Sequence, residues 1–245
     1  MSEAAITGME ASAAKILTRA IEMERHGKYQ TALVCYQEGI DLLLEVLKAS
    51  KDPNKKKHYR SKIEEYMTQA EKVKVLLERL KQEGKYHEQL KIEDNATGHG
   101  YSAIFSPYMD ETVVEVWIED AYIRSYHQVN NFLRFCELLC TRCDNLKTVN
   151  LSTSTDDNNS SNQQENIACI ARSLSQRGII LNVNYVSNLH DREIRFSNGW
   201  IIKVGRGLDY FKKVDKFCIG FHDMNQRPCH STTVDIFHSK HTRDR

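Results

Sequence analysis

Proline is scarce in this chain, with three residues (Pro53, Pro107 and Pro228) in 245. That argues against a long disordered tail or a proline-rich linker. Long hydrophobic runs are missing too. No stretch approaches the roughly 18 consecutive apolar residues of a membrane span, and the opening MSEAAITGMEASAAK lacks the apolar core of a signal peptide. A spanning or secreted protein is therefore not expected. Net charge of one sign is also absent, with 34 Lys+Arg against 33 Asp+Glu. The broad positive field of a nucleic-acid binder is thus missing, and no nucleic-acid partner is expected. No glycine-rich nucleotide loop occurs, since Gly205-Arg206-Gly207 lacks the rest of either phosphate-loop pattern.

What is present is the composition of a soluble globular protein, with 40% hydrophobic and 27% charged residues. The length suits one large domain or two small ones. Seven cysteines (Cys35, Cys136, Cys140, Cys143, Cys169, Cys218, Cys229) are scattered and odd in number, which fits reduced thiols better than a disulfide framework. Cys136, Cys140 and Cys143 would bind metal only with a second ligand pair. Cys229-His230 is the sole candidate and its spacing matches no standard zinc module, so no metal or cofactor is expected. Charge is unevenly spread. Residues 1–90 hold 16 basic and 14 acidic side chains, residues 91–179 hold 7 and 12, and residues 180–245 hold 11 and 7. A basic C-terminal end can attract an anionic surface even in a neutral chain.

Residues 10–83 carry helical periodicity and no strand signal. Ala13, Ile16, Leu17, Ala20 and Ile21 form one apolar stripe that stops near His26-Gly27, a C-terminal glycine. Leu33, Tyr36, Ile40, Leu43 and Leu47 form a second, broken by Lys51-Asp52-Pro53-Asn54. Ile63, Tyr66, Ala70, Val73, Leu77 and Leu80 form a third, in steps of 3, 4, 3, 4 and 3. Three such seams make a small antiparallel bundle.

The run Gly27-Lys28-Tyr29-Gln30-Thr31-Ala32-Leu33 with Tyr36, Gly39-Ile40 and Leu43-Leu44, and the third-helix run from Ile63 to Val73, resemble the MIT (microtubule-interacting and trafficking) domain. The family usually has proline at Gln30, a change that an exposed first turn tolerates. A tetratricopeptide pair shares the aromatic–alanine hairpin pattern, but it requires recurrence near 34 residues, and none occurs. The MIT resemblance implies binding of the amphipathic C-terminal tails of ESCRT-III subunits in a groove between helices. Met67 sits beside the core seam and, with Glu71 and Lys74, forms a second stripe. Two readings of Met67 stand, an adaptable binding surface or padding of the bundle edge. Leu44 is a candidate groove residue from the second helix, and Glu64 and Glu71 are candidate partners for a ligand cation.

Residues 81–95 are polar and read as a linker or a frayed helix end, placing a linker at 84–97. Beyond it the pattern changes. Strands are expected at 112–120, 146–151, 179–186 and 216–222, helices at 131–139 and 165–177, and a hairpin over 192–205 around Ser197-Asn198-Gly199. That alternation predicts an α/β domain, and the fold class is multidomain, α followed by α/β.

Val116–Arg124, His190–Phe196 and Asn198–Phe211 resemble the phospholipase D-like domain found C-terminal to an MIT domain, with Ala121 where that family more often has proline. The resemblance places this domain at 98–245. It implies a homodimer, affinity for phosphoinositides, and action with ESCRT-III in cytokinetic abscission. The implied setting is cytoplasmic and peripheral to membrane, at the midbody and late endosome. Catalysis in phospholipase D-type enzymes needs a His-x-Lys-x4-Asp motif in two copies, one histidine attacking and the other protonating the leaving group. Here His190 is followed by Arg192 and Ser197, and Ser197 cannot reproduce the carboxylate. His238-Ser239-Lys240 is a second near-miss, with Asp244 one residue short. The segment ending there reads as a charged, fraying tail. A non-enzymatic domain is therefore expected, with a phosphodiesterase of altered mechanism as the alternative. His190-Asp191-Arg192 is either a structural remnant or a retained anion pocket. Lys203, Arg206, Lys212 and Lys213, with Arg192, are candidate membrane-binding residues, and Trp200, Tyr210 and Phe211 are candidate interface anchors. A solvated hairpin edge with ordinary lysines is the competing reading.

Overall fold

The computed structural model describes residues 3–155, 160–187, 189 and 191–239. It divides into two compact units, Met1–Tyr86 and His87–Arg245.

The first unit is three helices, α1 (Glu3–Arg25), α2 (Tyr29–Ala49) and α3 (Pro53–Gln82). The α1–α2 turn uses Gly27 at φ +74°, and the Lys28 amide closes back on the Met23 carbonyl at 2.9 Å. α3 begins where Asp52 accepts hydrogen bonds from the Asn54 and Lys55 amides, with Pro53 in the first turn. All three seams meet in one core that includes Ala13, Leu17, Tyr36, Ile40, Ile63 and Val73. Gly39 lets α2 approach α1 closely, since a Cβ there would lie 2.5 Å from Leu17 Cγ.

The second unit is built on a seven-stranded mixed sheet in the order β1-β7-β6-β5-β2-β3-β4. Its strands are β1 (His87–Ile92), β2 (Glu115–Asp120), β3 (Thr148–Thr153), β4 (Ile180–Tyr185), β5 (Arg192–Phe196), β6 (Trp200–Val204) and β7 (Thr232–His238). A short α4 (Tyr101–Phe105) precedes β2. β2, β3 and β4 run parallel, joined by α5 (Tyr126–Arg142) and α6 (Ser160–Ser175), because parallel strands need crossovers. The expected hairpin is β5–β6, turning at Gly199 with φ +96°. One sheet face is buried through Val116, Ile118, Val149, Leu151, Ile202, Val204 and Ile236. The other carries charged rows, in which Glu193 and Glu119 bind Arg195 at 3.3 and 2.6 Å and Glu193 binds Lys203 at 3.3 Å.

Three expectations fail here. Residues 87–92, inside the expected linker, form the edge strand β1 paired antiparallel with β7. Of the segment expected to fray, His238 instead closes β7, and residues 240–245 lie outside the described residues. His238 is 8% exposed, packs edge-on against Trp200 with centroids 5.2 Å apart, and bonds the Asn198 carbonyl at 3.1 Å. Finally, residues 216–222 form no strand. Turns place Phe217 at φ +69° and Gly220 at φ +90°, which extended pairing does not permit.

Candidate functional site

On α3, Met67 is 55% exposed. Glu64, Glu71 and Lys74 are exposed beside it. Helical spacing puts positions 67, 71 and 74 on one flank. Leu44 is half-buried and packs against the bundle core. The opposite flank borders a recess of about 750 Å³ between α1 and α3 that sequence reasoning missed, lined by Ile21, Glu24, Arg25, Gln69, Lys72 and Leu76 among others. Glu64 reaches this recess, whereas Met67 and Lys74 do not line it. Glu71 borders a separate shallow hollow with Val75, Leu76 and Arg79. Glu24 braces the recess by accepting from Gln69 Nε2 at 2.6 Å and from the Tyr36 hydroxyl at 2.7 Å. Burial and that carboxylate together raise the Tyr36 phenol well above its ordinary value.

In the second unit, a cavity of about 760 Å³ opens between the start of α5 and the segments 206–216 and 221–230. Tyr126, His127, Asn130, Asn131 and Arg134 form one wall at helical spacing. The opposite wall is pinned from the sheet. Asp120, 2% exposed at the end of β2, accepts from the Leu208 and Tyr122 amides at 2.9 and 3.0 Å. Burial pushes its carboxyl above the usual range, against those two amide bonds. Asp209 then ties this wall to α5, accepting from Asn131 at 3.0 Å and Gln128 at 3.1 Å and lying 3.3 Å from His127 Nε2. Ser125 Oγ also lies 2.9 Å from His127 Nδ1. This Ser–His–Asp row is not built for nucleophilic catalysis. His127 is two-thirds exposed, and Asp209 is shared with two side-chain amides.

Six cations line the cavity (Arg134, Arg206, Lys212, Lys213, Lys216, Arg227) against two carboxylates, Asp209 and Asp215. Lys212 pairs with Asp94 at 2.7 Å. Arg227 is spent as a strut, donating to the Gly220 and Phe221 carbonyls, and burial lowers its guanidinium pKa. Among the described residues, Arg134, Arg206, Lys213 and Lys216 make no ion pair. Unpaired cations converging on one cavity are the chemistry that suits phosphate or carboxylate groups.

Of the five cations expected to act together, the structure gathers Arg206, Lys212 and Lys213. Lys203 lies on the charged sheet face beside Glu193. Arg192 stacks over Tyr122 at 4.3 Å and donates to the Gly205 carbonyl. Arg134 and Arg227 were missed because tertiary packing, not spacing, brings them here, whereas Lys216, close to Lys213 in sequence, falls at the start of the expected strand 216–222. The expected aromatic anchors are corrected outright. Trp200, Tyr210 and Phe211 are 2%, 0% and 6% exposed, and Tyr210 and Phe211 belong to an aromatic cluster with Tyr101. Within the degenerate motif, Ser197 Oγ accepts from the Val114 and Glu115 amides at 2.9 and 3.2 Å. His190, Lys240, Asp244 and Arg245 lie outside the described residues.

All seven cysteines are free. Burial pushes the Cys143 thiol up to about 12, Cys229 up to about 11, and Cys136 well above its ordinary value. Only Cys169 and Cys218 are exposed. Brief alkylation of the native protein near pH 8 is expected to add two labels, at those positions, by intact mass and peptide mapping.

Family comparisons agree with both units. Residues 10–75 match the MIT (microtubule interacting and transport) domain, and residues 98–238 match the phospholipase D-like domain at the C-terminus of MIT. The chain is 53% identical over 234 residues to mouse MIT domain-containing protein 1, covering 95% of this chain and 94% of that protein.

Proposed function

Because this chain belongs to the family that joins an MIT domain to a C-terminal phospholipase D-like domain, we propose that it is a non-enzymatic adaptor between ESCRT-III and membrane. The bundle takes the C-terminal helical tails of ESCRT-III subunits on the α3 flank bearing Met67, Glu71 and Lys74, with Leu44 of α2 and Glu64, which also reaches the α1–α3 recess, as further contacts. The second domain holds anionic, phosphoinositide-bearing membrane through Arg206, Lys212 and Lys213. A homodimer through that domain doubles both contacts, so weak affinities combine as avidity. The setting is the cytoplasmic face of the midbody and late endosome, during abscission.

The observation that carries this reading is the cation-rich cavity, where Arg134, Arg206, Lys213 and Lys216 converge without ion pairs among the described residues. Each basic side chain near an anionic leaflet contributes about 1 kcal/mol. Against a phosphodiesterase, Arg192 and Ser197 of the first near-miss motif are both engaged in structural bonds.

The full chain is expected to sediment with vesicles containing phosphoinositide and not with neutral ones. Arg206→Glu with Lys213→Glu should weaken that binding at least about tenfold. Metal-independent hydrolysis of a phosphodiester, lost in His190→Ala, would instead establish the enzyme.

A further inference from the structure

The apolar run that fails to become a strand sits at the tip of a tightly tied loop. Its base is closed by the Phe211–Cys229 bridge and by the Lys212 amide donating to the Pro228 carbonyl at 2.8 Å. Above the base, the Arg227 guanidinium holds the Gly220 and Phe221 carbonyls. Two turns shape the tip, with the Cys218 amide donating to the Asp215 carbonyl at 3.2 Å and the Phe221 amide to the Cys218 carbonyl at 3.1 Å. Gly220 is required there, because a Cβ would lie 2.9 Å from the Gln226 carbonyl oxygen and 3.0 Å from Arg227 Cα.

This bracing presents apolar side chains to solvent. Phe217 is 102% exposed and Ile219 is 82% exposed, although aromatic and branched residues are normally the first to be buried. Phe217 also holds φ +69°, a left-handed conformation that is an outlier for a bulky residue. A ring that packs against nothing contributes nothing to folding that would offset this conformation. An outlier of that kind points to function. Lys213 and Lys216 closely precede Phe217 in sequence and line the cation-rich cavity.

We propose that residues 215–219 form a wedge that inserts Phe217 and Ile219 below the headgroups of an anionic bilayer, with Lys213 and Lys216 at the level of the phosphates. The proposal rests on the membrane reading above and adds how contact is made. Apolar side chains beside cations are the chemistry of interfacial anchoring. Two side chains in a five-residue turn are too few for a stable protein–protein interface. The pre-tied loop inserts without an ordering penalty.

The test uses the full chain with phosphatidylcholine vesicles, with and without an anionic phosphoinositide. In Phe217→Trp, the added tryptophan emission is expected to shift to the blue and to be quenched by lipids brominated near the headgroup, in anionic vesicles only. Phe217→Ser with Ile219→Ser should lower vesicle affinity at least about tenfold, with a melting temperature equal to or above that of the wild type. If the wild type binds these vesicles and the double variant binds equally, with the tryptophan unquenched, the wedge is wrong and the membrane reading stands. If the wild type binds no anionic vesicle, both fail. A double variant that changes oligomeric state without vesicles overturns the wedge in favour of a protein contact.

Discussion

Gly207→Ala is expected to destabilise the C-terminal domain by about 3–5 kcal/mol, combining a strained backbone with loss of buried hydrogen bonds. Gly207 has φ +61°, and a Cβ built there would lie 2.0 Å from Asp120 Oδ2 and 2.6 Å from its Cγ. The carboxylate cannot swing aside, since it is buried and holds the Leu208 and Tyr122 amides. Moving it strands the buried Leu208 N–H, the part-buried Tyr122 N–H and a buried carboxylate at once. Gly178→Ala separates the two contributions. Gly178 has φ +75° but nothing within 4 Å of its built Cβ, so that change should cost only about 1 kcal/mol. Denaturant midpoints of the two variants decide it. The same turn carries Arg206 and Asp209 to the cavity, so vesicle binding by Gly207→Ala should fall with its stability.

The helical seams were legible because each keeps its apolar residues three or four apart for several turns. The Ser197-Asn198-Gly199 hairpin was legible because its turn chemistry is local. β1 was not legible. Within HEQLKI the inward row is Glu88, Leu90 and Ile92, so a buried carboxylate and only two apolar residues leave too short an alternation to read. Residues 216–222 misled in the opposite direction, because strand propensity reports side-chain type and is blind to burial. Trp200, Tyr210 and Phe211 lie close to lysines in sequence and look like interface anchors, yet their rings serve the core. The cavity shows the same limit. Arg206, Lys212 and Lys213 are neighbours along the chain, whereas Arg134 and Arg227 join them only through the packing of α5 against the loop beyond β6.

Met67→Asp is expected to raise the dissociation constant for ESCRT-III tails about a hundredfold, with helicity and melting temperature unchanged. Met67 is more than half exposed, so folding does not depend on it. A tail helix docked on this flank would bury it, and burying a methionine is worth about 1.5–3 kcal/mol. Aspartate forfeits that gain and adds an unpaired carboxylate inside an apolar contact, and each 1.4 kcal/mol is about a factor of ten in affinity. The control lies on the other side of the same helix. Lys72 is exposed and lines the α1–α3 recess, so Lys72→Glu should leave tail affinity within about twofold if tails use the Met67 flank. The recess has its own claim, being apolar at Ile21 and Leu76 and braced by Glu24. Calorimetric titration of the full chain and both variants with a panel of tail peptides separates the two. A loss in Lys72→Glu with Met67→Asp unaffected moves the site to the recess, and a loss confined to Met67→Asp fixes it on the flank. Tails that bind neither the wild type nor the variants remove ESCRT-III from the reading. An adaptor that uses both flanks would lose tails selectively, some peptides in each variant, because a three-helix bundle offers α3 a separate groove on either side.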